Sequence, residues 1–163
     1  MTSRSGVKRD AVSSEKNEKG MKMISEREIL DAIENKLESL ELFQSVRRPE
    51  NVISDHELLD LLPDLTQFPA AVLLVRQTER SDSFMASKAV DLIVIGRYFG
   101  LDTERAANET MRETVEGAFR QTQCVAFADR GEILIMLDNV EKLILGNEFS
   151  AWNLRLTVKI LDY

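Results

Sequence analysis

The stretch that decides the fold is Phe149-Ser-Ala-Trp-Asn-Leu-Arg-Leu-Thr-Val-Lys-Ile-Leu-Asp162, because its side chains alternate in character. One set of alternate positions is large and apolar: Trp152, Leu154, Leu156, Val158 and Ile160. The other set is small, polar or charged: Ala151, Asn153, Arg155, Thr157 and Lys159. Successive side chains of a β-strand point to opposite faces of its sheet. The stretch therefore predicts a strand with one core face and one face toward solvent or a partner.

Composition limits the class of protein. The chain has 163 residues, of which 44% are hydrophobic, so one globular domain with a real core is expected. Residues 1–22 carry six basic and three acidic side chains, which leaves -10 on the rest of the chain when this +3 is taken from the total of -7. An acidic body argues against nucleic-acid binding as the main role.

The first 22 residues differ from the rest. They are polar and have no periodic apolar face, so they are expected to be a disordered N-terminal tail that a partner could order, or upstream translation before a start at Met21 or Met23. Residues 23–163 are expected to form a single α+β domain. One cysteine fits a reducing compartment. The sequence has no long apolar run, so neither a membrane span nor a signal peptide is expected.

Capping patterns and apolar stripes predict the helices. Ser25 and Glu28 form a capping box at the start of a helix at about 25–40, and Ser54 and Glu57 repeat it for a short helix ending at Leu62. A longer helix is expected at about 103–121. Its apolar stripe is Ala107, Met111, Val115, Ala118 and Phe119.

Apolar runs predict the other strands. They are a short edge strand at 42–47, a strand at 68–76 that is buried on both faces, a strand at 87–98, and short extended pieces at 124–127, 132–136 and 140–145. Turn residues separate them at 129–131 and 146–147. The order of elements predicts an α+β fold, with a mainly antiparallel sheet and two main helices packed on one face.

No catalytic, cofactor or metal site is expected. His56 is the only histidine and has no partner at ligand spacing, so a solvated side chain is favoured. Cys124 is interpreted as a small buried core residue. The aspartates near His56 lack the glycine and the terminal glutamate of a calcium loop; they are Asp55, Asp60 and Asp64. Without an acid–base or nucleophile constellation, an enzyme is not expected.

An interface is the remaining kind of site. The second face of the strand at 87–98 mixes large apolar groups with charges, as at a subunit interface or under a helix; it carries Ile93, Ile95 and Arg97, together with Asp91 and Phe99. The polar connection at 77–86 exposes Phe84 and Met85, which favours an inter-subunit or tube-facing arm or, equally, an ordinary hairpin loop folded onto its own domain. Trp152 is interpreted as a core anchor, with an interface hot spot as the alternative.

Four short stretches resemble a known family. They are Ile-Leu-Asp-Ala-Ile-Glu-Asn-Lys-Leu at 29–37, Phe-Pro-Ala-Ala-Val-Leu-Leu-Val at 68–75, Glu-Thr-Met-Arg-Glu-Thr-Val at 109–115 and Ala-Trp-Asn-Leu-Arg-Leu-Thr-Val at 151–158. In this order they resemble the small tail proteins of Mu-like prophages, the Mu gp37-like family. That family in turn resembles the tail terminator, or tail completion, proteins of long-tailed phages.

The resemblance implies a tail-terminator-like fold and a structural role in the virion tail, assembled in the cytoplasm of the bacterial host. Such proteins form a homo-oligomeric ring, usually a hexamer, that caps the tail tube and joins it to the head-tail connector protein. DNA passes through the lumen without specific binding. No cofactor and no membrane are implied. The alternative is a small soluble adaptor or binding protein of a tail-derived contractile system.

The resemblance also assigns core positions, which are the apolar residues of the helices and strands. They are Ile29, Ile33, Leu37, Val72, Leu74, Leu92, Val94, Met111, Val115, Phe119, Trp152, Leu154, Leu156 and Val158.

Overall fold

The computed structural model describes residues 24–49, 67–80, 85–144 and 148–162. Several predictions from the sequence lie outside these ranges. They are the N-terminal tail, the short helix at 54–62 with His56 and its neighbouring aspartates, the side chain of Phe84, and the turn at 146–147.

The described residues form two helices and six strands. The elements are α1 Glu26–Ser39, β1 Ser45–Arg47, β2 Ala70–Arg80, β3 Met85–Arg97, α2 Asp102–Arg120, β4 Gln123–Phe127, β5 Gly131–Leu143 and β6 Phe149–Asp162. This is the α+β class that the sequence predicted, and β6 has the bounds that its alternating pattern predicted.

The six strands make one mixed sheet that curls into a half-barrel, in the order β1-β2-β3-β6-β5-β4. The β1–β2 pair is parallel and the other four pairs are antiparallel. Strand β6 pairs with β3 along one edge, from Phe149 to Leu161, and with β5 along the other. The most regular stretch of the sequence is thus the strand that joins the two halves of the sheet.

Both described helices contribute to one core on the same face of the sheet. Helix α1 buries Ile29, Ile33 and Leu37, and α2 buries Met111, Val115 and Phe119. The large side chains of β6 lie beneath them, with Trp152 only 4% exposed. Every core position named from the sequence is buried, and the interpretation of Trp152 as a core anchor is confirmed.

The opposite face of the sheet has a second, smaller apolar cluster. Its buried members are Ala70, Val72, Leu74, Ile93, Ile95 and Ala151. Together the two clusters bury β2 from both sides, as its unbroken apolar run predicted. Two polar side chains, those of Asp91 and Asn153, are also buried on this second face, and Arg76 of β2 forms an ion pair with Asp91.

Ion pairs attach α1 to its surroundings. The guanidinium of Arg48, just after β1, donates to Asp31 at 2.7 Å and to Glu34 at 2.7 Å. At the start of the helix, Arg130 from the β4–β5 turn donates to both carboxylate oxygens of Glu28, at 2.9 and 2.5 Å. Bidentate arginine–carboxylate pairs fix orientation as well as distance, so Arg130 fixes the start of α1, and Arg48 holds its middle through two carboxylates.

The structure corrects the bounds of two predicted connections. The polar connection expected at 77–86 is largely strand, because β2 continues to Arg80 and β3 begins at Met85. The two short pieces expected at 132–136 and 140–145 are one strand, β5, with a single irregularity between Leu137 and Asn139. In both places the strand continues through polar residues because a partner strand supplies its backbone hydrogen bonds. A pattern of neighbouring residues does not indicate this pairing.

Two burial predictions were wrong. Cys124 is exposed, because β4 is a short edge strand and the cysteine lies on the face opposite to Val125 and Phe127, which pack against the core. A hydrogen bond from its Sγ to the Glu132 carboxylate, at 3.3 Å, raises the pKa of this thiol. In α2 the stripe is shifted by one position at its start, so that Asn108 is buried and Ala107 is exposed.

Candidate interaction surface

The exposed large apolar side chains gather at one end of the sheet. Among the described residues they are Phe99, Leu101 and Ile144, with 58%, 54% and 91% of their surface exposed. Phe99 and Leu101 belong to the turn that follows β3, and Ile144 follows the last residue of β5. Arg97 at the end of β3 pairs with Phe149 at the start of β6, and Leu143 at the end of β5 pairs with Ala151, so these residues lie at the same sheet end. We call Arg97, Phe99, Leu101 and Ile144 the end patch.

The Arg97 side chain is the polar centre of the end patch. Its guanidinium carbon lies 4.5 Å from the ring centroid of Phe99, 5.5 Å from that of Phe68 and 5.4 Å from that of Phe149. The Phe68 and Phe149 rings also contact each other, with centroids 5.4 Å apart. An arginine among aromatic faces is stabilised by cation–π attraction while its N–H groups stay available at the edge. One of them, Nη2, lies 3.5 Å from Glu148 Oε2.

The backbone of Phe99 is strained. Its φ is +46°, Gly100 follows with a φ of +79°, and the Leu101 N–H donates to the Tyr98 carbonyl at 2.7 Å and closes the turn. A left-handed conformation costs an L-residue with a bulky side chain roughly 1–2 kcal/mol. Burial of the ring within this chain does not offset the cost, because more than half of Phe99 is exposed. Strain of this kind gathers at binding and switching sites.

A pocket of about 310 Å³ opens beside the patch. Its lining residues are Phe68, Pro69, Arg97, Phe99, Glu104 and Asn108. Asn108 is 7% exposed, and its Nδ2 donates to the Arg97 carbonyl at 3.4 Å. The Oε1 atom of Glu104 is buried and has no hydrogen-bond partner. The pocket thus combines aromatic walls with a carboxylate oxygen whose bonding capacity is unused.

The start of α2 positions Glu104 and Asn108. The N-cap residue is Leu101, whose side chain makes no capping hydrogen bond, and Glu104 lies in the first turn. One turn later Asn108 packs against β3 so closely that a Cβ atom on Gly96 would lie 2.2 Å from its Oδ1. The missing side chain of Gly96 therefore lets the polar start of α2 approach the sheet end.

The residues predicted for an interface are divided by the structure. Arg97 lies in the end patch, whereas Ile93 and Ile95 are buried in the second apolar cluster. Met85 begins β3 at the opposite sheet end, and Phe84 lies outside the described residues. Neither placement tests subunit contact, so the interface remains a prediction for this set. Sequence reasoning did not select Leu101, Glu104, Asn108 or Ile144, because no period or motif distinguishes them.

The chemistry that this surface offers is contact and recognition. Within the described ranges there is no group of three or more histidine, cysteine, aspartate or glutamate side chains that could hold a metal ion. Neither α1 nor α2 combines the length with the apolar character that crossing a bilayer requires. Exposed aromatic and aliphatic groups on one surface with an arginine are typical of the centre of a protein–protein contact.

No protein-family model matches the chain, and no curated protein is significantly similar to it. The resemblance to tail proteins therefore depends on the four sequence stretches given above. The α+β class is common to proteins of many functions, so function has to be argued from the surface.

Proposed function

We propose that the protein is a structural component of a phage tail, most specifically a tail terminator whose subunits form a ring on the end of the tail tube. The observation that carries the proposal is the end patch, where the three exposed large apolar side chains of the described residues lie at the same sheet end as Arg97, and one of them, Phe99, contacts its guanidinium. Such a patch is costly for an isolated domain and becomes favourable when a second protein covers it.

A ring requires two different, complementary surfaces on each subunit. The end patch supplies one, at the sheet end where β3 and β5 finish and β6 begins. The tail tube protein and the head-tail connector protein would lie above and below the ring. The -10 charge of the chain after residue 22 suits a lumen through which DNA passes, because negative walls do not retain phosphates.

The first experiment is to purify the full-length chain and measure its mass by light scattering and native mass spectrometry. Intact tails from a strain that carries the gene are then examined by cryo-EM, beside tails from a deletion strain. A ring at the head-proximal end, and tails of abnormal length without the gene, are expected. Tails of normal length in the deletion strain would overturn the terminator role and favour the soluble adaptor.

A matched pair of variants tests the patch itself. Ile144→Asp places a charge on the most exposed apolar residue of the patch and should reduce the ring fraction at least tenfold at equal concentration. Thr114→Asp places the same charge on an exposed position of α2 outside the patch and should leave assembly unchanged. Equal assembly of both variants would show that subunits meet elsewhere.

A further inference from the structure

We propose that the pocket beside the end patch receives a lysine or arginine side chain from a second copy of the chain, which pairs with Glu104. This inference rests on the proposed ring, because the ring brings the second copy to the pocket. It names the chemistry of the contact, which the ring alone does not specify.

The first step concerns Glu104. Its Oε1 atom is buried yet accepts no hydrogen bond. A buried acceptor without a partner costs about 1–3 kcal/mol, and more when it is charged, so native proteins pair such atoms. Asn108, one helical turn on, directs its Nδ2 to the Arg97 carbonyl instead. A donor from outside the described residues of this chain would remove the penalty.

The second step concerns charge. Arg97, the cation of the pocket lining, is held among three phenylalanine rings with Nη2 3.5 Å from Glu148 Oε2. The pocket lining and the ion-pair partner of Arg97 thus hold one arginine against two carboxylates, those of Glu148 and Glu104. A covered contact with one unbalanced carboxylate is unfavourable, and an incoming cation restores neutrality. Charge balance thus selects lysine or arginine over a neutral donor.

The third step concerns shape. Phe68, Pro69 and Phe99 give the pocket apolar and aromatic walls. The aliphatic stem of a lysine or arginine packs on such walls while its charged end reaches a carboxylate. Leu101 and Ile144 lie on the same sheet end, where they would pack against the protein that carries the incoming side chain. A free ion or a small anion would use none of these apolar groups.

The chain carries suitable cations away from the pocket. Arg155 on the second sheet face has a side chain 51% exposed and lies 3.8 Å from Glu141, and Arg120 at the end of α2 has one 69% exposed and lies 2.8 Å from Glu116, so either would exchange a surface ion pair for the pocket. Residues 1–22 add six basic side chains. An acidic body with separate basic positions is able to form head-to-tail contacts between identical copies.

The main experiment compares two variants of the full-length chain by sedimentation and native mass spectrometry. Glu104→Gln keeps the shape and removes the charge, and it should weaken assembly at least tenfold. The control Glu113→Gln changes a 67% exposed glutamate of the same helix and should assemble like the wild type. Thermal unfolding of both variants verifies the fold. If Glu104→Gln assembles as Glu113→Gln does, the inference is wrong.

A small probe separates this inference from the ring. NMR titration of the wild-type chain with N-acetyl-arginine amide should shift the side-chain amide signals of Asn108, whereas the neutral isostere N-acetyl-citrulline amide should not. If the wild-type chain does not assemble, the ring proposal fails and this titration alone decides the chemistry of the pocket. Equal responses to both compounds would then overturn the inference.

Double-mutant cycles identify the source of the cation. Glu104→Gln is combined in turn with Arg120→Gln, with Arg155→Gln, and with replacement of all six basic residues of 1–22 by glutamine in the full-length chain. If the combined variant loses less assembly than the sum of its two separate losses, that combination contains the partner of Glu104. Additive losses in all three combinations would overturn the assignment to these cations of a second copy and favour the tail tube protein as the source.

Discussion

The two helices start in opposite ways. At the start of α1 the Ser25 Oγ accepts the Glu28 N–H at 3.1 Å, and the Glu28 carboxylate accepts the Ser25 N–H at 2.9 Å. Arg130 then holds the same carboxylate. At the start of α2 the N-cap is an exposed leucine, and the first-turn Glu104 keeps an unpaired buried oxygen.

The difference separates structural stability from recognition. At the start of α1 the capping box and Arg130 pair the polar groups of Ser25 and Glu28 within the chain, and the preceding Ile24 is buried. The start of α2 combines an absent side-chain cap, a left-handed Phe99 and an exposed Leu101. The start of α1 follows the capping rules and serves only the fold. The start of α2 departs from them at the place where we propose that a second copy binds.

The largest expected effects show what the helices share. Phe119→Ala in α2 and Ile33→Ala in α1 each remove a fully buried side chain from the common core. Each should lower the free energy of unfolding by about 3–4 kcal/mol, measured by urea denaturation. If one substitution cost less than about 1 kcal/mol, the two helices would not be equal parts of the core.

Gly96→Ala should have the next largest effect, and it acts on the start of α2 alone. A Cβ atom at this position collides with the Asn108 side chain, so the helix has to move away from the sheet end. A loss of about 1–3 kcal/mol is expected in the same denaturation assay. Adding Asn108→Ala should recover part of it, and no recovery would mean that the collision is not the cause.

The caps should respond in opposite directions. Ser25→Ala removes a working cap and should destabilise the chain by about 1 kcal/mol. Leu101→Ser introduces a cap at a residue whose backbone is already extended, and should raise the melting temperature of the isolated chain while it weakens assembly. If Leu101→Ser left both the melting temperature and the assembly unchanged, the contrast between the two helix starts would not hold.

The smallest effect concerns pH. Burial alone would raise the pKa of Glu28, but hydrogen bonds from Arg130 and Ser25 outweigh it and hold this pKa below its ordinary value. The carboxylate therefore stabilises the fold above about pH 4.5, and the contribution is lost as the pH falls through the lowered pKa. Glu28→Gln should therefore reduce the fall in melting temperature that acid causes in the wild-type chain. This change should be smaller than the drop in melting temperature that Ser25→Ala causes at pH 7. An unchanged acid slope would contradict this.

Local patterns predicted the elements, and long-range contacts decided the rest. The capping box of α1 and the alternation of β6 are written in adjacent residues, and both were confirmed. The stripe of α2 was misplaced at Asn108, because an amide is buried only where a glycine of β3 makes room for it. The exposure of Cys124 follows from the position of β4 at the sheet edge. The end patch was predicted only at Arg97 and Phe99, since its other two residues follow different elements and are brought to the same sheet end by the pairing of β3, β5 and β6.

The exposed Cys124 is the single cysteine in the sequence, and this makes the native chain suitable for site-specific labelling. A nitroxide attached there would report distances between subunits without any substitution. In a closed ring of identical subunits the set of such distances follows from the number of subunits and the radius, so a pulsed spin-resonance measurement would count the copies. Because the Glu132 carboxylate raises the pKa of the thiol, the coupling reaction should proceed faster at mildly alkaline pH.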